Sequence, residues 1–195
     1  MAKIKVLIEG YAREVNGDEY ASSSVTLVCD NNLCILVDVG MNRQLLIDSL
    51  KRENLFPKDI DYVVLTHMHI DHCLLAGIFE NAQIIDDSSI YSFDSKASEH
   101  QCKIPDTNIE IISAPGHSQS HCAVLVNTEE RGRVVISADL FWWPDGQKQK
   151  TDKNSLLNLE DPYMEDKKTL RKSRRKILKI ADYIIPGHGK PFRLL

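Results

Sequence analysis

The sequence Thr66-His67-Met68-His69-Ile70-Asp71-His72 places three imidazoles and one carboxylate within six residues, directly after an apolar run that ends at Leu65. Imidazole and carboxylate are ligands that suit zinc and its first-row neighbours. Residues two apart at the end of a strand project to the same side, so His67 and His69 can bind one ion. Asp71 and His72 are adjacent and diverge, which lets them serve a second ion about 4 Å away. The stretch therefore predicts a paired metal site.

Three further candidate ligands follow apolar runs elsewhere in the chain. They are His117 in the sequence P-G-H, Asp139, and His188 in a second P-G-H. Each lies where a predicted strand gives way to a loop, the region in which layered α/β folds collect their chemistry. The single carboxylate of Asp139 could bridge the two ions. We therefore expect seven residues to converge in space.

Together these motifs resemble those of the metallo-β-lactamase superfamily of metal-dependent hydrolases. The resemblance runs along nearly the whole chain and includes Leu36-Val37-Asp38-Val39-Gly40. It implies an α/β fold, a four-layer αββα sandwich of the metallo-β-lactamase type, with the metals at one edge of the two sheets. We predict one domain over residues 1–195, with halves near 1–115 and 116–195. The chain departs from the family at Ala138, where many members have Gly, and at Val39, where Thr is common.

The same resemblance assigns roles to the seven residues. It implies that one ion is held by His67, His69 and His117, that the other is held by Asp71, His72 and His188, and that Asp139 bridges them. It also implies two zinc ions, with iron or manganese as other candidates, and hydrolysis by a metal-bridging hydroxide. Asp71 would then act as the catalytic residue that orients this hydroxide.

Two residues are candidates for supporting this site. Asp38 ends an apolar strand, so it either orients a ligand imidazole and the loop that carries His67, or caps the helix that follows. His121 lies four residues after His117. We predict that it supports the loop that holds His117, with contact to substrate as the alternative.

The substrate is less defined by the sequence. A narrower similarity within the family, to members associated with nuclease action on RNA, suggests RNA phosphodiesters. Eight basic residues and no acidic one lie between Lys167 and Lys179. They predict a helix whose charged face either contacts phosphates or is simply solvated. The alternatives are a small-molecule ester, thioester or lactone hydrolase and an iron-dependent, sulfur-type oxidoreductase, and the His at position 69 favours zinc over the latter.

Composition sets outer bounds on these hypotheses. The chain of 195 residues is 43% hydrophobic and 27% charged, with a net charge of −4, so nucleic acid is not generally attracted to it. No apolar run approaches the roughly 18 residues of a membrane span. The five cysteines form no C-x-x-C pair and no evident disulfide framework. These features predict a cytoplasmic protein without a membrane partner.

The apolar patterning also predicts individual elements. We expect a helix capped by Asn42 and running to about Asn54, and a hairpin with Gly132 in its turn. Residues 140–161 lack a period and predict an ordered loop over the site, in which Trp142 and Trp143 either anchor the loop or form a substrate lip. The expected strands are Lys3–Ile8, Val25–Cys29, Cys34–Val37, Asp61–Leu65, Val124–Val126 and Val134–Ile136.

Overall fold

The computed structural model describes residues 1–194, which form fourteen strands and four α-helices. The strands are β1 (Lys3–Ile8), β2 (Tyr11–Val15), β3 (Asp18–Ser22), β4 (Val25–Asp30), β5 (Leu33–Val37), β6 (Tyr62–Val64), β7 (Gln83–Ile85), β8 (Ser89–Tyr91), β9 (Ala97–Glu99), β10 (Glu110–Ser113), β11 (Cys122–Thr128), β12 (Gly132–Ala138), β13 (Tyr183–Pro186) and β14 (Phe192–Arg193). The helices are α1 (Arg43–Arg52), α2 (Ile70–Cys73), α3 (Lys153–Leu157) and α4 (Lys167–Ile180).

Two mixed sheets form the centre of the molecule. The first has seven strands in the order β1-β4-β5-β6-β7-β8-β9, and the second has five in the order β10-β11-β12-β13-β14. Strands β5, β6 and β7 run parallel in the first sheet, as do β12 and β13 in the second. Strands β2 and β3 form a separate hairpin.

Three layers of apolar side chains hold four layers of structure together. Between the sheets, Val37 of the first packs with Val124 and Ile136 of the second. The outer face of the first sheet packs on α1 through Leu46 and Leu50. The outer face of the second sheet packs on α4, which contributes its own buried stripe. This is the αββα arrangement expected from the sequence, and the predicted fold class is confirmed.

Capping residues define where the two long helices begin. The Asn42 side chain accepts a hydrogen bond from the Leu45 amide at 3.1 Å, as predicted for α1. At the start of α4, Asp166 accepts from the Thr169 amide at 2.8 Å. Within residues 1–194, none of the helices combines the length and the apolar character that a bilayer crossing requires.

The second sheet begins with β10 at Glu110, close to the division of the two halves predicted near 115 and 116. One other expectation about chain organisation needs correction. The segment 140–161 contains the short helix α3, which Asp152 caps by accepting from the Ser155 amide at 3.0 Å. A helix of five residues is too short to give a readable apolar period, which is why the sequence predicted only a loop.

Candidate metal centre

The seven predicted ligands meet at one edge of the two sheets and form two clusters of donor atoms. The first donor group consists of His67, His69 and His117, together with Asp139; the second donor group consists of Asp71, His72 and His188. In each group the donor atoms lie within 4.8 Å of one another. The residues come from four separate segments, each of which follows a strand, and the first of them runs into helix α2.

The direction of the strands explains the convergence. Strands β10 and β12 both pair antiparallel with β11, and β12 pairs parallel with β13, so β10, β12 and β13 all run in the same direction. Their carboxyl ends therefore lead into His117, Asp139 and His188 at the same edge. In the first sheet, β6 leads to His67 in the same way.

In the first donor group, ring nitrogens of different histidines face one another at close range. His117 Nε2 lies 3.0 Å from His69 Nδ1 and 3.4 Å from Asp139 Oδ2. His67 Nε2 lies 4.0 Å from the same carboxylate oxygen. Lone pairs that point at a common centre are the arrangement that a bound cation requires.

In the second donor group, Asp71 takes the place of a third imidazole. Its Oδ2 lies 3.2 Å from His188 Nε2 and 3.7 Å from His72 Nε2. Asp71 is also more exposed than the other carboxylate of the site, with 16% of its side-chain surface accessible against 7% for Asp139. It is therefore the carboxylate that incoming solvent or substrate can reach.

Asp139 contacts both groups with different oxygens. Oδ2 faces the first group, as described above, whereas Oδ1 lies 3.3 Å from His72 Nε2 and 3.8 Å from His188 Nε2. A carboxylate so placed has the geometry of a bridge between two adjacent cations.

Several donor atoms in this centre are buried and have no hydrogen-bond partner of acceptable geometry among residues 1–194. They are His67 Nε2, His72 Nε2 and Asp139 Oδ1. An unsatisfied buried polar atom costs about 1–3 kcal/mol, so three together at one point call for a ligand. Imidazole nitrogens and carboxylate oxygens are the donor set of zinc, and the residues present fit two such ions.

Electrostatics favour the metal-binding forms of two ligands, His67 and Asp139. Burial lowers the pKa of the His67 imidazole well below its usual value, and the nearby His72 and His121 act in the same direction. Burial acts to raise the pKa of Asp139, but the neighbouring His72 and His188 outweigh it and hold this pKa well below its usual range. At neutral pH, His67 is therefore neutral and Asp139 ionised. For His72 and His188, burial acts to lower the pKa, but the neighbouring carboxylates outweigh it and raise both values.

Asp38 contacts the ligand His72 through the ring nitrogen that does not face the other donor atoms. Its Oδ2 lies 2.8 Å from His72 Nδ1, and its Oδ1 accepts from the Thr66 amide at 2.9 Å. One carboxylate thus orients a candidate ligand and ties down the residue that precedes His67. The helix cap is Asn42 and not Asp38, which resolves the alternative left open by the sequence.

Two more of the ligand imidazoles, His117 and His188, have supports that the sequence did not reveal. His117 Nδ1 lies 2.7 Å from Oδ2 of Asp161, and His188 Nδ1 donates to the Tyr11 carbonyl at 3.0 Å. The predicted supporting residue His121 behaves differently. Its ring stacks on His67 with centroids 4.9 Å apart, and neither ring nitrogen has a hydrogen-bond partner within residues 1–194. Burial lowers its pKa to about 3, so it contributes a neutral, packed ring.

Backbone shape beside Asp139 depends on small residues. Ala138 adopts φ +42°, the left-handed region, so Ala at this departure from the family keeps the backbone shape that Gly adopts more easily. A Cβ added at Gly187 would overlap Asp139 Oδ1 and lie 3.0 Å from the Ala138 carbonyl carbon. Gly187 is therefore required by the closeness of the His188 loop to Asp139.

A cavity of about 410 Å³ opens onto the centre, and we call it the mouth. Its lining combines donor residues with apolar side chains; the residues are Glu19, Ala21, Met41, His69, Ile70, Asp71, Asp139, Trp142, Tyr163 and His188. The two tryptophans differ in the roles predicted for them. Trp143 is buried in the core and anchors the loop, whereas Trp142 lines the mouth, as expected of a substrate lip. No Lys or Arg lines the mouth within the described chain.

Comparison with known proteins agrees with this geometry. Residues 20–88 match the model of the metallo-beta-lactamase superfamily. The chain is 34% identical to metallo-beta-lactamase domain-containing protein 1 of Xenopus laevis, over 98% of this chain and 82% of that protein. It spans only 60 to 63% of the mammalian proteins of the same name.

Solved structures show the same fold at low sequence identity. A protein of Thermotoga maritima assigned to the metallo-beta-lactamases superposes with a TM-score of 0.73, at 19% identity, over 98% of this chain and 99% of its own. AidC, a dizinc quorum-quenching lactonase, superposes with a TM-score of 0.65, at 18% identity, over 88% of this chain and 73% of its own. From the fold, the clustered donors and the 34% identity over nearly its whole length, the chain belongs to the metallo-beta-lactamase superfamily of metal-dependent hydrolases.

Proposed function

We propose that the chain is a dinuclear zinc hydrolase. In this proposal His67, His69 and His117 would hold one ion, Asp71, His72 and His188 would hold the other, and Asp139 would serve both. The observation that carries it is the placement of the two Asp139 oxygens, which face opposite donor groups at 3.3 to 4.0 Å. Bound zinc would supply an activated water near neutral pH and polarise the scissile carbonyl or phosphoryl oxygen.

Within this proposal the chain's own residues position the reactants. Asp71 would accept a hydrogen bond from the attacking water and set its direction, because it lines the mouth and is the more accessible of the two carboxylates in the donor groups. Asp38 and the Tyr11 carbonyl keep His72 and His188 in the tautomer that leaves Nε2 free for the ion.

RNA phosphodiesters are the substrate that we propose first. Support comes from α4, whose basic side chains all face solvent except Arg174. The helix also begins beside the metal centre, since the Glu165 amide just before it lies 3.1 Å from the carbonyls of Gly116 and His117. A phosphate backbone that follows α4 would therefore be led toward the donor groups.

Replacing Lys172, Arg175 and Lys179 together with Ala should weaken RNA cleavage and flatten its salt dependence. All three side chains are exposed on α4. Each phosphate contact adds about 0.7 to the salt slope of single-stranded binding, so three lost contacts should lower it by about 2. The measurement is kcat/KM for a single-stranded RNA across a range of NaCl concentrations.

A matched control is the triple variant Lys51→Ala, Lys58→Ala and Lys96→Ala, which removes three exposed charges from the other half of the chain. This control should keep the slope. Unchanged cleavage in the α4 variant, or an equal loss in the control, would count against an RNA-contacting face.

Hydrolysis of a lactone or ester is the second candidate, because the mouth itself favours it. Met41, Ile70 and Tyr163 are exposed by 40%, 59% and 59%, and all three line the cavity beside the donors. An apolar substituent next to a scissile carbonyl fits such a lining better than a phosphate backbone does. The likeness to a dizinc lactonase supports the same choice.

One panel separates the two candidates. Zinc-loaded protein is assayed against RNA, single-stranded DNA, phosphodiester esters, lactones and thioesters, with Asp71→Ala as the background control. Turnover of RNA alone supports the first candidate, and turnover of lactones alone supports the second.

A further inference from the structure

Asp161 is a buried carboxylate that contacts a candidate metal ligand from an unexpected part of the chain. It lies between α3 and α4, 44 residues after His117. Its side chain is fully buried, and its Oδ2 lies 2.7 Å from His117 Nδ1. This contact is on the opposite side of the ring from Nε2, which faces His69 and Asp139.

The orientation of this carboxylate is fixed by its surroundings. Its second oxygen accepts a hydrogen bond from the Tyr163 amide at 3.1 Å. The segment that carries it is held by Arg174, which is only 3% exposed and donates to the carbonyls of Leu140 and Leu159 at 2.7 and 2.5 Å. These hydrogen bonds therefore hold the loop and keep the Asp161 carboxylate in one orientation toward His117.

The arrangement matches the support found at the other donor group. His72 is backed by the carboxylate of Asp38 at 2.8 Å, as His117 is by Asp161 at 2.7 Å. Each donor group thus contains one imidazole with a carboxylate behind it. Such a partner fixes the tautomer with the proton on Nδ1, orients the ring, and makes Nε2 a more basic ligand.

We propose that Asp161 is a positioning residue that sets the affinity of the first donor group for its ion and links that group to the mouth. The link is short, since Tyr163 lies two residues on and lines the mouth, with its ring centroid 5.8 Å from that of Trp142. The inference rests on the proposed metal site, but not on the choice between RNA and lactones.

The test compares Asp161→Asn and Asp161→Ala with Asp166→Asn. Asn at 161 retains the size of the side chain and an acceptor for the Tyr163 amide. Asp166→Asn removes the same charge five residues away, where the exposed side chain only caps α4. Zinc dissociation constants are measured by competition with a chromophoric chelator, and cobalt-substituted protein gives visible absorption spectra that report the ligand geometry.

We expect both Asp161 variants to bind one of the two zinc ions about 10- to 100-fold more weakly and to alter the cobalt spectrum, because loss of an outer partner typically has this effect. Asp166→Asn should bind both ions as the unchanged protein does. Tyr163→Ala should raise KM without changing zinc affinity. That difference would distinguish the contribution of Tyr163 to substrate binding from the contribution of Asp161 to zinc binding.

Two results would overturn the inference. One is zinc affinity within twofold of the unchanged protein in both Asp161 variants. The other is a loss of zinc affinity that Asp166→Asn shows as well, or that follows a lowered free energy of unfolding of the metal-free variants. Either outcome would show that Asp161 has a structural role only. Failure of the proposed function looks different, because the unchanged protein itself would then bind no pair of ions.

Discussion

Asp139→Asn is expected to prevent the binding of two ions and to lower the rate of hydrolysis by at least about 10³-fold. The oxygens of Asp139 face different groups, and an amide offers one weakly basic oxygen in place of two charged ones. A Lewis-acid contribution of several kcal/mol is lost with the ions, and each 1.36 kcal/mol corresponds to a factor of ten in rate. Rates on the best substrate of the panel and metal content per chain are the measurements.

The control for this variant is Asp182→Asn. Asp182 lies at the surface, where its carboxylate pairs with Arg133 at 2.9 Å, remote from the donors. It should retain two ions and the full rate. If Asp139→Asn also kept two ions and a rate within tenfold, the bridging role would be wrong.

Gly187→Ala is expected to lower activity by about 10²-fold or more, although it adds a single methyl group. The new Cβ would overlap Asp139 Oδ1, so either the carboxylate or the loop carrying His188 must move. A displacement of about 1 Å in a catalytic constellation can cost 10²-fold in rate. Zinc affinity should fall with the rate, since the displaced oxygen faces the second donor group.

Gly77→Ala is the matched control, because a Cβ at Gly77 meets no atom within 4 Å. Its stability should change by no more than about 0.5 kcal/mol, as for most surface substitutions. Equal activity in the two alanine variants would show that the approach of Gly187 to Asp139 is not needed for function.

The elements that deliver the ligands were predictable because each combines two local signals. A buried run such as Tyr62–Val64 reads as a strand, and the polar residues after it read as its carboxyl end. Helix α1 was predictable for the same reason, from its cap and its apolar face. The strands β7, β8 and β9 have three residues each and lie partly exposed, so neither length nor alternation marked them.

The supports of the site could be predicted only where they lie next to a motif. Asp38 directly follows the apolar strand β5 within the sequence Leu36-Val37-Asp38-Val39-Gly40, so the sequence alone marks it as a candidate. Asp161 lies in an irregular segment whose position depends on α3, α4 and the buried Arg174, which is information of tertiary structure. Tyr11 contributes a backbone carbonyl, and no side-chain pattern encodes such a contact. For His121 the sequence predicted a support for the loop that holds His117, whereas in the structure its ring stacks on His67 and makes no hydrogen bond within residues 1–194.

The central claim is that two cations are held between these donor groups, and metal analysis tests it most directly. Protein purified without added metal is examined by inductively coupled plasma mass spectrometry, alongside an Asp139→Asn sample. We predict two zinc ions per unchanged chain. A folded preparation that retains no transition metal would contradict the claim, and a site filled with iron that consumes oxygen would overturn the zinc hydrolase in favour of an oxidoreductase.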